Sequence, residues 1–285
     1  MKKIKNFIPE INIHPLLIIF IVIALFTGMF IEIFIILVIV FIHELGHFLA
    51  AKYYGWRVLH INLWIFGGEL VTEEHSERPL FEQVVVTLAG PFQHLLIYLF
   101  IIICNYFSFL PEHIMHIIFI YNTVILFFNF LPIWPLDGGK LLFIFLCLIF
   151  PYRLAYSTIL IVAMCLCIVL FLSQLLFFSF TLSAIIIFAY LLLRNITEWK
   201  QRFFVFMRFL LQRYHMKRDK KHREHLYVPA EAKIIDILSK FKISHNYMIH
   251  IIQDVDRRKV VSEESCLHYF FTKHNPESKL SHLIT

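Results

Sequence analysis

Charged residues are scarce in this chain of 285 residues: they make up 16% of it, whereas hydrophobic residues make up 59%. Soluble globular domains carry about 25% charged and about 45–50% apolar residues. This balance, with a mean hydropathy of +0.74, excludes an ordinary soluble domain. We predict a polytopic α-helical membrane protein with about six transmembrane helices and a small C-terminal α/β domain.

Cysteine is also sparse, and the five copies contain no C-x-x-C pair. Four of them lie within or near apolar segments, which favours reduced packing residues over a disulfide framework. The sequence has no internal repeat, and the apolar run after the basic segment Met1–Pro9 lacks a small-residue cleavage site. We therefore expect that run to be a retained span rather than a signal peptide.

Long apolar runs predict where the chain crosses the bilayer, which takes about 20 residues per helix. The predicted spans are Ile11–Phe30, Ile31–Ala51, Gln83–Cys104, Ile114–Leu131, Tyr156–Leu172 and Leu175–Leu193. A further apolar piece, Leu141–Phe150, is too short to cross alone. It is predicted to be re-entrant, interfacial or an extension of its neighbour.

The charges beside these spans predict their orientation. Lysine and arginine occur in the inferred inner segments, and none occurs in the inferred outer turns Thr27–Glu32, Asn105–His113 and Ser173–Gln174. The positive-inside rule therefore predicts that both termini are cytosolic. His47 then lies five residues before Lys52, or roughly 7–8 Å of helical rise, so it should be close to the cytosolic surface.

The most informative motif is His43-Glu44-Leu45-Gly46-His47, which lies inside the second predicted span. Two histidines at i and i+4 of a helix can bind one Zn²⁺, and the glutamate between them can act as general base on an activated water. A charge at mid-helix in a bilayer costs about 2.5–3.5 kcal/mol on insertion scales, which favours a functional role. The alternative is a pair of polar histidines bonded to nearby carbonyls. The motif and its setting predict an intramembrane metalloprotease.

A zinc site also needs a third protein ligand. A histidine six residues after His47 would indicate a metzincin, but that position is Tyr53. Two carboxylates compete instead: Glu69 in the polar loop after the second span, and Asp137, the only aspartate before residue 219. We favour Asp137, because it emerges at a depth similar to that of His47 and its flanking prolines and glycines let backbone line a cavity. Otherwise Asp137 would be a helix-capping residue.

These motifs resemble the site-2 protease family of intramembrane zinc metalloproteases, and within it the sporulation proteases. The resemblance runs over nearly the whole chain and includes the loop Phe66-Gly67-Gly68, the turn Leu88–Pro91 into the third span and the segment Leu131–Lys140. The family often shows Asn-Pro-Asp-Gly before the third ligand, where this chain has Pro135-Leu136-Asp137-Gly138.

The resemblance implies a role for each residue of the motifs. His43, His47 and Asp137 would be the zinc ligands, and Glu44 would be the general base of a zinc metalloendopeptidase. Asn129 and Pro135 would shape the active-site cleft or help to engage the substrate.

The same resemblance implies a biological setting. The substrate would be pro-sigma-K, the membrane-associated pro-form of a sporulation sigma factor, and the site would be the outer forespore membrane, facing the mother cell. Two membrane partners, BofA and SpoIVFA, would hold the protease inactive. The competing hypothesis is a metal-ion or proton transporter that uses the same four polar residues as a relay. We favour it less, because the sequence lacks the paired, interrupted halves of transporters.

The loop Trp56–Leu70 suggests how an extended substrate could bind. Part of it, Val58–Ile65, alternates apolar and polar residues as a strand does, and Gly67-Gly68 would allow a tight turn. A scissile segment must be extended, because a helix keeps its carbonyls in internal hydrogen bonds. We hypothesise that an edge of this loop holds substrate by strand addition. The alternative is an amphipathic segment on the membrane surface.

The chain is predicted to divide into residues 1–193, the protease domain, residues 194–225, a linker, and residues 226–285, a cytosolic domain. Aromatic side chains alternate with lysine and arginine in the linker. This predicts an amphipathic helix that contacts membrane lipids rather than nucleic acid.

The last 60 residues have the pattern of a small α/β domain. Helical patterns at Ala230–Phe241 and Glu263–Phe271 flank a strand at Tyr247–Ile252 and a polar turn at Asp254–Lys259. The order resembles a single CBS domain. That resemblance implies self-association into a homo-oligomer and ATP binding.

Overall fold

The computed structural model of the chain describes residues 10–13, 15–64, 67–72, 78–177, 182–215, 223–229, 231–243, 245–254 and 257–273. The chain divides into two compact units, Met1–Leu141 and Leu142–Thr285. Helices dominate both units, and each also contains a three-stranded sheet. The prediction of a mostly helical protein is therefore confirmed.

The described part of the first unit is built around α2 (Phe30–Tyr53). This helix packs against α1 (Pro15–Thr27), α3 (Leu80–Phe107) and α4 (Glu112–Asn129), and α5 (Asp137–Ile149) begins at the end of the unit. Ile35 and Ile39 of α2 share a buried apolar cluster with Ile97 of α3. Residues three or four apart lie on one face of a helix, so the apolar run of α2 buries a continuous stripe.

Among the described residues, four helices are long and apolar enough to cross a membrane: α2, α3, α4 and α6 (Tyr152–Phe177). They overlap the second to fifth predicted spans, which supports an integral membrane protein. The first predicted span is only partly helical. Its residues 11–13 belong to a strand, and α1 has 13 residues, fewer than the about 20 that a crossing needs. The count of six spans stays a prediction.

The predicted boundaries near α5, α6 and α7 differ from the structure. Helix α5 begins at Asp137 rather than at Leu141, and α6 continues to Phe177, beyond the predicted start of the sixth span at Leu175. Helix α7 (Leu182–His215) runs unbroken through the predicted domain boundary between residues 193 and 194. The change from apolar to basic composition therefore does not mark the end of a helix.

The sheet of the first unit has the order β1-β2-β3, formed by β1 (Glu10–Ile13), β2 (Val58–Trp64) and β3 (Gly67–Thr72). Strand β1 is parallel to β2, and β3 is antiparallel to it, with Gly68 opposite Leu63. The strand predicted at Val58–Ile65 is thus confirmed up to Trp64. The turn predicted at Gly67-Gly68 is wrong, because both glycines are paired in β3. The connection between the two strands, residues 65–66, lies outside the described residues.

The second unit contains α6, α7 and a small α/β region. The α/β region consists of β4 (Arg223–Pro229), α8 (Ile234–Leu238), β5 (Asn246–Asp254), β6 (Arg257–Ser262) and α9 (Glu263–Lys273). Strand β5 is central, parallel to β4 and antiparallel to β6.

The predictions for this α/β region were partly right. The strand at Tyr247–Ile252 and the helix at Glu263–Phe271 are confirmed within longer elements. The helix predicted at Ala230–Phe241 is wrong over most of its length, since only the five residues of α8 are helical. The turn predicted at Asp254–Lys259 is too long, because β6 already begins at Arg257. Strand β4 was not predicted.

Arg213, near the end of α7, is not a lipid-facing residue of the linker helix. It is 4% exposed and donates hydrogen bonds to both carboxylate oxygens of Glu263 and to the carbonyls of Lys242 and His245. A buried ion pair persists only when its remaining donors and acceptors are satisfied, as they are here. Part of the apolar face of α7 is buried as well, at Phe206, Phe209 and Leu210. The expectation that this face contacts lipid is therefore wrong for these residues.

Candidate metal centre

His43, Glu44 and His47 lie near the end of α2, and no more than 4% of any of them is exposed. The two histidines are one helical turn apart, and their Nε2 atoms are separated by 3.1 Å. Gly46 allows this part of α2 to approach α3 closely, because a Cβ there would overlap the carbonyl oxygen of Ala89.

Asp137, the first residue of α5, is brought to the same point and is 3% exposed. Its Oδ2 lies 3.1 Å from Nε2 of His43 and 3.1 Å from Nε2 of His47, and its Oδ1 lies 3.3 Å from Nζ of Lys140. The four residues come from two helices, α2 and α5, that are far apart in sequence, and all four lie within the first unit.

Two glycines allow α5 to start where it does. A Cβ at Gly138 would overlap the carbonyl oxygen of Phe130, and a Cβ at Gly139 would overlap that of Ile133. The segment before α5 therefore folds tightly against the first turn of the helix. This close approach holds the Asp137 carboxylate against α2.

The spacing of three side-chain atoms from His43, His47 and Asp137 is suited to binding one Zn²⁺ ion. Nε2 of His43, Nε2 of His47 and Oδ2 of Asp137 form a triangle with sides of 3.1 Å. Tetrahedral ligands at about 2.0–2.2 Å from one zinc ion are about 3.3–3.6 Å apart, so the sides of the triangle are within a few tenths of an ångström of that spacing. Oδ2 of Asp137 is buried and, apart from its contacts with the two Nε2 atoms, has no hydrogen-bond partner among the described residues. A buried oxygen without a partner is costly, and a cation at the triangle would satisfy it.

Glu44 lies beside this triangle. Its Oε2 is likewise buried without a hydrogen-bond partner among the described residues. The donor atoms of His43, Glu44 and His47 are all within 4.8 Å of one another, so distance alone permits Glu44 as a ligand too. The shorter distances from Asp137 favour Asp137 as the third ligand and leave Glu44 free to bind a water.

The backbone of β3 lies directly against Glu44. A Cβ at Gly68 would overlap the side chain of Glu44, whose Oε1 would be 2.7 Å away. A glycine at this position therefore allows the strand to approach the carboxylate. The side chain of Glu69, the competing candidate for the third ligand, lies outside the described residues, as does Phe66.

A cavity of about 190 Å³ opens beside His47, and Thr72, Trp134, Pro135 and Lys140 are part of its lining. Pro135, for which the resemblance implies a cleft-shaping role, is part of the lining. Asn129 does not line this cavity. Its side-chain amide donates instead to the carbonyl of Ile125, one turn back in α4, at 3.1 Å.

Sequence reasoning missed three residues around the histidines. His94 and Asn122 are fully buried and hydrogen-bonded behind His43, and a Cβ at Gly90 would overlap the rings of His43 and His47. Gly90 was expected in a turn at Leu88–Pro91, but that segment lies inside α3. His94 has no ligand spacing to the motif, so only its place in the fold reveals the contact.

Comparisons with known proteins show which family the chain belongs to. The family profile described as Peptidase family M50 matches residues 31–110. Over all 285 residues, the chain is 34% identical to stage IV sporulation protein FB of Bacillus subtilis (strain 168), covering 99% of that protein. The chain belongs to peptidase family M50, the site-2 proteases. As a member of the family it is an intramembrane zinc metalloprotease, which confirms the family predicted from the sequence.

Two further relatives match the chain over about a third of its length. A putative zinc metalloprotease of Synechocystis sp. is 36% identical over 103 residues, which are 35% of this chain and 27% of that protein. A zinc metalloprotease of Methanocaldococcus jannaschii is 28% identical over 106 residues, which are 36% and 30% of the two chains.

A solved structure also shares the fold. The site-2 protease from Methanocaldococcus jannaschii superposes with a TM-score of 0.56 at 23% identity, covering 66% of this chain and 89% of that one. This likeness supports a shared fold over about two thirds of the chain.

Proposed function

We propose that this M50 protease hydrolyses a peptide bond in a membrane-associated pro-protein of sporulation, pro-sigma-K. The observation that carries the catalytic part is the buried triangle of His43, His47 and Asp137 with the Glu44 carboxylate beside it. The sporulation part is supported by the full-length similarity to stage IV sporulation protein FB.

Each polar residue of the site has one task in this proposal. His43, His47 and Asp137 would hold the zinc ion, which would lower the pKa of a bound water to about 7 and polarise a carbonyl. Glu44 takes a proton from the attacking water and passes it to the leaving amine. Lys140 engages Oδ1 of Asp137, which leaves Oδ2 turned towards the histidines.

The proposed substrate strand adds to β3. The original hypothesis named an edge of the loop Trp56–Leu70, but β2 is paired on both sides, with β1 and with β3. Among the described strands, β3 has an unpaired outer side, and its Gly68 contacts Glu44. An extended peptide bonded to that side would carry its carbonyls past the general base.

Proline substitutions in β3 test strand addition. Adjacent strand residues direct their N–H groups to opposite sides, so Leu70→Pro and Val71→Pro each remove a different donor. The variant that loses the outward donor should keep its zinc and fold but cleave at least about tenfold more slowly, as expected for a lost hydrogen bond and a displaced strand. Cleavage at the wild-type rate by both variants, with zinc retained, would exclude the β3 edge as the substrate site.

The proposal also covers the C-terminal region, the partners and the cellular location. The β-α-β-β-α order of the last elements supports a CBS-like domain, and self-association and ATP binding there rest on the resemblance alone. Inhibition by BofA and SpoIVFA, and a place in the outer forespore membrane, rest on the same resemblance. Cytosolic termini are supported by the positive charge of the inferred inner segments.

Co-expression of the chain with tagged pro-sigma-K tests the proposed substrate. The expected result is a shortened product when the chain and pro-sigma-K are expressed alone. Less of that product is expected when BofA and SpoIVFA are added. If no product forms when the partners are omitted and zinc is bound, pro-sigma-K is not a substrate that this chain cleaves by itself. The transporter hypothesis is not favoured, because the chain belongs to a family of peptidases. Zinc or proton flux into vesicles that contain the protein, without any proteolysis, would support the transporter hypothesis instead.

A further inference from the structure

Behind the metal centre lies a chain of polar side chains that the proposed reaction does not use. His94 of α3 and Asn122 of α4 are both fully buried, with 0% exposed. Nε2 of His94 lies 3.1 Å from Nδ1 of His43, and Nδ1 of His94 lies 2.7 Å from Oδ1 of Asn122. Two helices other than α2 therefore each contribute a polar group to the orientation of one histidine.

The Asn122 amide sets the direction of the hydrogen bonds that link Asn122, His94 and His43. Its Nδ2 donates to the backbone carbonyl of His94 at 3.2 Å, so Oδ1 faces the His94 ring. An amide oxygen only accepts hydrogen bonds, so Nδ1 of His94 carries the proton and donates it. In a neutral imidazole the other nitrogen then accepts, so Nε2 of His94 takes its hydrogen bond from Nδ1–H of His43.

The result is a fixed tautomer of His43. With the proton on Nδ1, the lone pair of Nε2 faces His47 and Asp137, which is the form that binds a metal. His47 reaches the same state more simply, since its Nδ1 donates to the backbone carbonyl of Val86 at 2.8 Å. The Nδ1 proton of each histidine is therefore held in place in a different way. A backbone carbonyl accepts it from His47, and the side chains of His94 and Asn122 fix it on His43.

We propose that His94 and Asn122 are positioning residues that hold His43 in its metal-binding tautomer and ring orientation. The inference rests on the proposed role of His43 as a zinc ligand. His94 is not a fourth ligand in this account, because its Nε2 is engaged by His43 and its Nδ1 by Asn122. Loss of such outer partners typically lowers metal affinity about 10–100-fold.

Two amide substitutions at His94 separate orientation from packing. The glutamine amide in His94→Gln reaches about as far as imidazole Nε2 and can accept from His43. The asparagine amide in His94→Asn reaches only about as far as Nδ1, so it can contact Asn122 but not His43. The zinc dissociation constant of the full-length protein in detergent, measured by chelator competition, should rise about 10–100-fold for His94→Asn and for Asn122→Leu, and should stay within about threefold for His94→Gln.

A matched control tests the helix pair itself. Tyr98 and Thr123 form the neighbouring hydrogen bond between α3 and α4, at 2.8 Å, without touching His43. Tyr98→Phe should leave the zinc dissociation constant unchanged. The absorption spectrum of Co²⁺-substituted protein should change in His94→Asn at saturating metal and match wild type in His94→Gln, because a merely looser core would not alter the ligand field.

The outcomes are distinguishable. Equal zinc affinity of His94→Asn and His94→Gln, or an equal loss in Tyr98→Phe, would overturn the positioning role while leaving the ligand set intact. His43→Ala serves as the reference, and unchanged zinc binding by it would overturn the ligand assignment and the inference together. None of these measurements needs a substrate, so they stand whether or not pro-sigma-K is cleaved.

Discussion

Glu44→Gln should abolish peptide cleavage while the protein keeps its zinc. Glutamine has nearly the same shape as glutamate and fits the space against Gly68, but it cannot accept a proton from water. General acid–base groups typically contribute about 10²–10⁴-fold to a rate, so cleavage should fall by that factor. The measurement is the single-turnover rate on a membrane-reconstituted substrate, with zinc content determined on the same sample by mass spectrometry.

Glu32→Gln provides the matched control, since Glu32 lies in the first turn of the same helix. The same chemical change there should leave both cleavage and zinc content at the wild-type value. If Glu44→Gln lost its zinc together with its activity, Glu44 would be a ligand rather than the base, which its distance to the histidines also permits. A wild-type cleavage rate would remove it from the mechanism.

The metal-binding pattern could be predicted from the sequence because its geometry is local. Two histidines separated by one turn share a face of any regular helix, and the apolar run Ile31–Ala51 made that helix the expected structure. Asp137 could be favoured for a different reason: aspartate is absent from the rest of the first 218 residues. A lone charge beside helix-breaking residues indicates a special position even when its partner is 90 residues away.

The pairing of β1 with β2 and the contact of His94 with His43 could not be predicted in the same way. Both depend on how elements far apart in sequence come together, and neither leaves a periodic pattern. The error at Gly67-Gly68 has the same origin. Two adjacent glycines favour a turn when only the local sequence is considered. In the structure Gly68 lies in a strand, at a position where the backbone passes so close to Glu44 that a side chain would not fit.

In the C-terminal region the sequence pattern predicted a longer helix than the structure contains, because tertiary packing outweighed local helical preference. Residues 230–241 have helical spacing, yet only Ile234–Leu238 form a helix. Ile234, Ile237, Leu238 and Phe241 are all nearly completely buried. Their spacing reflects one apolar face that packs into the core, and a single turn of helix followed by a turn meets that need as well as a long helix would.

Asp137→Ala should release zinc, and it decides between the two carboxylates that the sequence left in competition. Removal of the carboxylate leaves two imidazoles 3.1 Å apart and takes away one partner of Lys140. The loss should exceed the about 10–100-fold that follows removal of an outer partner, because a direct ligand is removed. Chelator competition on the purified protein measures the zinc dissociation constant, and cleavage should be lost in parallel.

Glu69→Ala is the control that makes this test specific, because Glu69 lies in β3 and was the alternative third ligand. It should retain zinc with the wild-type affinity. Asp137→Asn adds an intermediate case, since a neutral amide oxygen has the right position but lacks the charge that balances the ion, and its zinc affinity should fall between those of wild type and Asp137→Ala. Zinc loss in Glu69→Ala with retention in Asp137→Ala would reverse the assignment. The 3.1 Å contacts of Asp137 with both histidines would then be a metal-free packing of the site rather than its ligand geometry.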